Sequence, residues 1–153
     1  METRPERLFF LGMRPYLAVG EWYWGRTIGR ALYKMGWTMV EEKDVAAHFA
    51  GIHKATKDTE AHVQILSDIS QAFIDAHVGG KVTKMRTDEE RPWASRTSKP
   101  PPYDDGTMRL VAEVYGLTPD ALKREIDILR GLRNFPCVRD SPVLRSMIYQ
   151  DEL

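Results

Sequence analysis

The sequence predicts a mainly α-helical domain, and three observations support this prediction. The chain has 153 residues, of which 42% are hydrophobic, so it is long enough to bury one sizeable core. Apolar residues recur at helical spacing along residues 61–76, before a Gly-Gly pair at 79–80. Residues 108–132 hold two short apolar stripes separated by Gly116, which predicts two helices joined at a tight corner. We therefore expect one compact domain made mostly of helices.

The charge balance excludes binding that depends on a global electrostatic field. The chain carries 22 basic and 22 acidic residues, so its formal net charge is zero. Charge is distributed unevenly, however: residues 37–80 carry three basic and seven acidic groups, whereas residues 81–99 carry six basic and three acidic groups. Any binding driven by charge must therefore be regional.

Cysteine usage and the N-terminal residues indicate the compartment. Cys137 is the only cysteine, which excludes an intramolecular disulfide and suits a reducing environment. The apolar run near the N-terminus is only a few residues long, and no small-residue cleavage site follows it. We expect a cytoplasmic protein with neither signal peptide nor membrane span, and no membrane partner.

The first 40 residues allow two interpretations. Residues 8–19 are apolar and predict either a buried strand or a short helix broken near Pro15. Residues 21–37 predict a helix with an aromatic N-terminal end, in which Ile28, Ala31, Leu32 and Met35 share one face and Gly36 is the C-cap. With a strand before it and the apolar residues 37–40 after it, this segment faintly resembles the first β-α-β unit of a nucleotide-binding Rossmann-like domain. An α/β fold is therefore the alternative, although the glycines do not form G-x-G-x-x-G.

Two further helices are expected before residue 80. Thr38 to Glu41 have capping-box spacing, although Asp44 can equally begin this helix, which we expect to end near His53. Asp58 or Thr59 can cap the next helix. Its apolar face is formed by Ala61, Ile65, Leu66, Ile69, Phe73 and Ala76.

Residues 81–106 predict a basic, proline-rich loop that divides a helical core region at 1–80 from a C-terminal region at 107–153. Basic residues surround Trp93 in this loop, so they can follow a phosphate backbone while the indole stacks on a base. The alternative is a solvated connector with one anchoring tryptophan. The candidate nucleic-acid contacts are Lys84, Arg86, Arg91, Arg96 and Trp93.

The corner at residues 109–129 is the most specific pattern in the chain. Small or apolar residues at 111 and 112, Gly116 at the turn, Leu117 at the corner and Leu122 in the second helix have the required spacing. Over about twenty residues the sequence is similar to the helix-turn-helix of bacterial and phage regulators. Glu125 departs from this pattern because it occupies a position that is usually apolar.

The second helix of this corner begins at Thr118, with Pro119 in its first turn, and is expected to run to about Leu132. Its groove-facing side would present Thr118, Lys123 and Arg124, which are candidate nucleic-acid contacts, together with Asp120 and Asp127, whose charge is unfavourable near phosphates. The alternative is a purely structural corner between two helices. A last short helix is expected over residues 141–150.

Other residues point to protein binding rather than to catalysis. Trp22, Tyr23 and Trp24 form an aromatic cluster of residue types that are enriched in binding hot spots, with an aromatic core plug as the alternative. The histidines at 48, 53, 62 and 77 lack metal-ligand spacing, and no nucleophile, phosphate-loop or metalloprotease motif occurs. We predict no metal and no cofactor.

The sequence therefore favours a non-enzymatic binding protein. The leading hypothesis is a nucleic-acid-binding regulator or accessory factor that uses the C-terminal corner and the basic loop. The alternative is a protein-binding inhibitor or adaptor, of the kind that phages and mobile elements encode, acting through Trp22 and Trp24 and the acidic helix. A small nucleotide-binding Rossmann-like enzyme is the second alternative.

Overall fold

The fold consists mainly of helices. The structure is a computed structural model that describes residues 4, 5, 8–35, 45–76, 99–134 and 139–152. In these ranges the chain forms two strands and six helices, which confirms the predicted mainly α-helical class. In chain order they are β1 (Met13–Ala18), β2 (Glu21–Arg26), α1 (Ile28–Met35), α2 (Val45–Thr59), α3 (Leu66–Ala76), α4 (Asp105–Val114), α5 (Pro119–Arg130) and α6 (Pro142–Glu152).

The N-terminal region is a β-hairpin, which corrects the prediction of a helix that starts at residue 21. β1 pairs antiparallel with β2, and Ala18 and Glu21 flank a two-residue turn at Val19 and Gly20. Phe10 forms a further antiparallel bridge to Met13. Aromatic residues and short X-Gly turns favour hairpins, and this preference outweighed the helical spacing that begins only at Ile28. Because β2 follows β1 directly, residues 13–35 do not form the β-α-β unit of the alternative fold.

The helices after the hairpin agree with the prediction except at some boundaries, two of which concern α2 and α3. α2 begins after Asp44 and continues to Thr59, six residues beyond the predicted end. α3 begins at Leu66 rather than near residue 60, because residues 61–65 form a turn in which Ile65 has a φ of +67°. The carboxylate of Asp68 accepts a hydrogen bond from the Ile65 amide at 3.0 Å and fixes this late start. The predicted helix start at Thr38, the C-cap at Gly36 and the Gly-Gly stop lie outside the described residues.

One core joins the hairpin to the helices. Its buried members come from β1, α1, α3, α4, α5, α6 and the turn before α3, and they include Tyr16, Ile28, Val63, Leu122 and Met147. Leu66 and Phe73 of the predicted α3 stripe are buried, and Ile69 packs against the core. α1 and α6 cross so closely that a Cβ at Gly29 would overlap the carbonyl oxygen of Met147, so this crossing requires glycine.

The connector between the two helical regions is described only at its C-terminal end. There the Lys99 ammonium pairs with Asp58 at 2.9 Å, and Tyr103 lies beside the turn before α3. Asp104 caps α4, which begins at Asp105, three residues before the predicted Met108. Within the described ranges no helix combines the length and the apolar character needed to cross a membrane.

Candidate nucleic-acid interface at the α4–α5 corner

The turn between α4 and α5 has the backbone geometry that the sequence predicts. Gly116 adopts a left-handed φ of +65°. Its amide donates to the carbonyl of Glu113 at 3.1 Å, and the Leu117 amide donates to the carbonyl of Ala112 at 2.8 Å. This pair of hydrogen bonds is the Schellman arrangement, which satisfies the last carbonyls of a helix. The Thr118 hydroxyl then accepts the Ala121 amide at 3.1 Å and starts α5.

The side chains at the constrained positions of the corner are buried as the helix-turn-helix pattern requires. Val111, Ala112 and Tyr115 of the first half are almost fully buried, and Leu122 has no exposed surface. Leu117 packs against the same core. These contacts fix the crossing of α4 and α5, so the orientation of the exposed face of α5 is determined by the core.

Glu125, the departure from the pattern, is also buried and is neutralised by a later part of the chain. The Arg139 guanidinium donates to both carboxylate oxygens of Glu125, at 3.0 and 2.8 Å. A two-pronged pair of this kind can satisfy a carboxylate where an apolar side chain is usual. The ion pair also connects the segment before α6 to α5. Glu125 therefore has a structural role and does not belong to the exposed face.

The exposed face of α5 carries equal numbers of opposite charges. Thr118, Lys123 and Arg124 are exposed, and so are Asp120 and Asp127. Lys123 forms no ion pair within the described ranges, and the Arg124 guanidinium contacts only the backbone carbonyl of Asp120, at 3.4 Å. The two cations are therefore available to a ligand, but the face as a whole has no net positive charge.

A buried carboxylate holds the C-terminal half of α5 against α3. Asp68 is fully buried and accepts hydrogen bonds from Arg130 Nε at 2.6 Å and from the Tyr103 hydroxyl at 3.0 Å, in addition to the Ile65 amide. Burial next to this carboxylate raises the pKa of Tyr103 far above its usual value, so the hydroxyl stays protonated. α3 is thus joined to the end of α5 through a buried carboxylate.

The other candidate nucleic-acid contacts cannot be placed on this face. Lys84, Arg86, Arg91, Trp93 and Arg96 lie outside the described residues. Lys99, the last basic residue of the predicted loop, is paired with Asp58 at the end of α2. Whether the loop and the corner form one surface therefore stays a prediction.

The aromatic cluster is divided between the two faces of the hairpin. Trp22 and Trp24 are 43% and 51% exposed and lie on one face, since they are two residues apart in β2. Tyr23 points to the opposite face, where its ring lies 5.6 Å from the ring of His62. The predicted protein-binding cluster thus consists of two outward tryptophans, and Tyr23 packs inward.

The inward face of the hairpin rests on a buried neutral histidine. His62 Nε2 donates to the carbonyl of Trp24 at 3.1 Å, and burial lowers the pKa of His62 to about 4. Its Nδ1 has no partner within the described part of the chain. Among these same residues no group of three or more His, Cys, Asp or Glu side chains converges as metal ligands do.

Sequence reasoning missed the apolar side chains at the hairpin turns. Leu11 and Val19 have φ values of +52° and +50° and are 82% and 64% exposed. Each precedes a glycine with positive φ, so the X-Gly pairs were the available signal for two hairpin turns. The buried roles of Asp68 and His62 were also missed, because no local pattern distinguishes them from solvated residues.

No protein-family profile, no curated protein and no solved structure matches this chain.

Proposed function

We propose that this protein binds nucleic acid, as a regulator or accessory factor, through the exposed face of α5. The observation that carries the proposal is the α4–α5 corner, where the Schellman turn, the Thr118 cap and the buried positions of a helix-turn-helix occur together. This arrangement leaves Lys123 and Arg124 exposed on a helix whose orientation is fixed by the core. A helix presented in this way fits the major groove of DNA.

The chemistry of this face favours base recognition over general attraction to phosphates. Lys123 and Arg124 can donate to phosphates or to the O6 and N7 atoms of guanine. Asp120 and Asp127 are repelled by phosphates, but a carboxylate can accept from the amino group of cytosine. With about two cations contacting the duplex, the logarithm of the binding constant should fall with the logarithm of salt concentration with a slope of about −2.

Selection of bound sequences from a pool of random duplexes, followed by titration of a selected duplex at several salt concentrations, tests this proposal. The double variant Lys123→Ala/Arg124→Ala should flatten the salt slope by about two units and weaken binding by about 1–3 kcal/mol for each specific contact. Its fold should be unaffected, because both side chains are exposed.

Lys34→Ala/Lys54→Ala is the matched control, since it removes two exposed cations from α1 and α2. It should leave both the affinity and the slope unchanged. If the parent protein shows no salt-dependent binding, or if both double variants bind as the parent does, the corner has a structural role only.

A second candidate function is protein binding through the outer face of the hairpin. The register places Phe10, Trp22 and Trp24 on this face, and all three are exposed. Exposed aromatic side chains grouped in this way are typical of interaction surfaces. This function would suit the inhibitor or adaptor of the alternative hypothesis. In chemical crosslinking with the protein partner, Trp24→Ser should then abolish the crosslinked complex. Tyr149→Ser, a change at another exposed aromatic residue, should preserve it.

A further inference from the structure

A polar cleft lies at the C-terminal end of α5, beside α2 and α3. α2, α3, the residues before α4 and the end of α5 enclose a space of about 430 Å³. This volume lies within the range of small-molecule sites. Its walls include Lys57 of α2, Ser70 and Gln71 of α3, Tyr103, and Arg130 of α5. Among the described residues that line the cleft there is no Asp or Glu.

Hydrogen-bond donors that remain unused in this cleft are mainly cationic. The Tyr103 hydroxyl already donates to Asp68, the Ser70 hydroxyl to the carbonyl of Ser67, and the Gln71 amide to Asp75. Lys57 forms no ion pair or hydrogen bond within the described ranges, and Arg130 uses only its Nε, so its two terminal nitrogens still have donors to offer. The cleft therefore offers the unpaired positive charge of Lys57, together with free donors of Arg130, whose charge Asp68 balances.

A buried polar atom at the same cleft also lacks a partner. His53 of α2 lines the cleft, and its Nδ1 is buried without a hydrogen bond among the described residues. Because this nitrogen has almost no accessible surface, a ligand in the cleft cannot reach it unless the ring moves. His53 therefore lines the cleft with its other ring atoms.

We propose that the cleft binds a small phosphorylated molecule, with Lys57 and Arg130 contacting the phosphate. The planar guanidinium can donate two parallel hydrogen bonds to phosphate oxygens, and the lysine adds a point charge. The oxygens of Ser70, Gln71 and Tyr103 keep free lone pairs, so they can accept hydrogen bonds from sugar hydroxyls. A sugar phosphate or a mononucleotide matches both the donors and the acceptors.

A nucleic-acid backbone presents the same phosphate groups, and Arg130 belongs to α5, the helix proposed to bind nucleic acid. The expected ligand is the small molecule, and its binding does not depend on nucleic-acid binding through Lys123 and Arg124. Calorimetric titration of the full chain with ribose 5-phosphate, AMP and ribose, beside a 12-base-pair duplex, distinguishes the two sources. We expect heat of binding with ribose 5-phosphate or AMP and none with ribose.

Lys57→Gln is the test variant, because Lys57 is exposed and its loss leaves the core intact. It should weaken binding of the phosphorylated probe by at least about tenfold, the loss expected for a charged hydrogen bond. Lys57→Arg should restore most of the affinity. Lys54→Gln, one turn earlier on α2 and outside the cleft, is the matched control and should bind as the parent does.

Three results would overturn the proposal. They are an absence of binding with both phosphorylated probes, an equal loss of affinity in Lys54→Gln and Lys57→Gln, and a Lys57→Gln effect confined to the duplex. The last result would assign the cleft to a nucleic-acid interface. Binding of the duplex by α5 is measured separately through Lys123 and Arg124, so the two proposals can fail independently.

Discussion

The hairpin of residues 8–26 and the corner of residues 105–130 both reverse the chain through residues with positive φ, but they expose opposite kinds of side chain. At the corner the residue is Gly116, with φ of +65° and an exposed surface around it that is polar. At the hairpin turns the first residue is Leu11 or Val19, and both apolar side chains are exposed to solvent.

This difference shows that folding alone explains the residue type at the corner turn but not at the hairpin turns. Glycine adopts positive φ without strain, whereas leucine and especially β-branched valine do so at a cost. The hairpin turns carry this cost together with exposed apolar surface, two features that do not stabilise the fold. Strain of this kind is often found at functional sites. The hairpin turns are therefore a candidate functional surface, as the α5 face is.

The buried polar groups under the two regions also differ. The corner rests on carboxylates whose two oxygens are both hydrogen-bonded: Glu125 is bonded twice by Arg139, and Asp68 has three donors. The hairpin rests on His62, which makes one hydrogen bond and keeps Nδ1 unpaired in the described structure. Paired charges and an unpaired neutral ring respond differently to mutation and to pH.

The largest effect is expected from breaking the charge pair of the corner on one side only. Arg139→Leu should destabilise the fold clearly more than Glu125→Leu does, because it leaves the buried carboxylate of Glu125 without its charged partner. Glu125→Leu should cost less than about 1 kcal/mol, because it places an apolar residue at a buried position and releases a partly exposed arginine to water. Urea unfolding at pH 7 measures both values.

Equal losses in these two variants would contradict this explanation. Such a result would mean that the pair contributes as a unit, and that an apolar side chain at residue 125 cannot replace it.

The next effect is a loss of stability in mild acid that originates under the hairpin. Because burial lowers the pKa of His62 from 6.5 to about 4, the unfolded chain binds a proton between these pH values and the folded chain does not. The stabilisation from neutral His62 is therefore complete above about pH 6.5 and decreases as the pH falls towards 4. The total loss should be about 2–3 kcal/mol.

His62→Gln isolates this contribution, since its amide can still donate to the carbonyl of Trp24. The free energy of unfolding of the parent should fall more steeply than that of the variant between pH 6.5 and pH 5, above the range in which most carboxylates titrate. Parallel curves for the two proteins in this interval would show that His62 does not cause the acid sensitivity.

The sequence predicted the corner well because its geometry depends on local residues. A glycine at the turn, a threonine at the N-cap and apolar residues three and four positions apart determine two helices and their crossing within about twenty residues. Even Glu125, the one departure, was visible in the sequence. Its partner Arg139 was not, because the two residues meet only after the chain has turned back towards α6.

The hairpin and the polar cleft could not be predicted in the same way. Trp22 and Trp24 fit a strand or the start of a helix, and the pairing with β1 decided between them. Lys57 and Arg130 are far apart in sequence and line the same cleft only when α2, α3 and α5 pack together. Sequence spacing does not indicate such contacts, so the cleft could be identified only from the structure.

The smallest effects are expected from one substitution in each kind of turn, and these two substitutions compare the two regions directly. Val19→Asn should stabilise the fold by about 1 kcal/mol, because asparagine tolerates positive φ and Asn-Gly is the preferred pair for a two-residue hairpin turn. Gly116→Ala should destabilise it by about 1 kcal/mol. A Cβ there meets no atom within 4 Å, so the cost comes from backbone conformation rather than from a clash. The midpoints of urea unfolding should therefore move in opposite directions at an unchanged m-value. If Val19→Asn destabilises the hairpin instead, valine is not strained at this turn, and the contrast between the two regions is reduced to the polarity of their exposed surfaces.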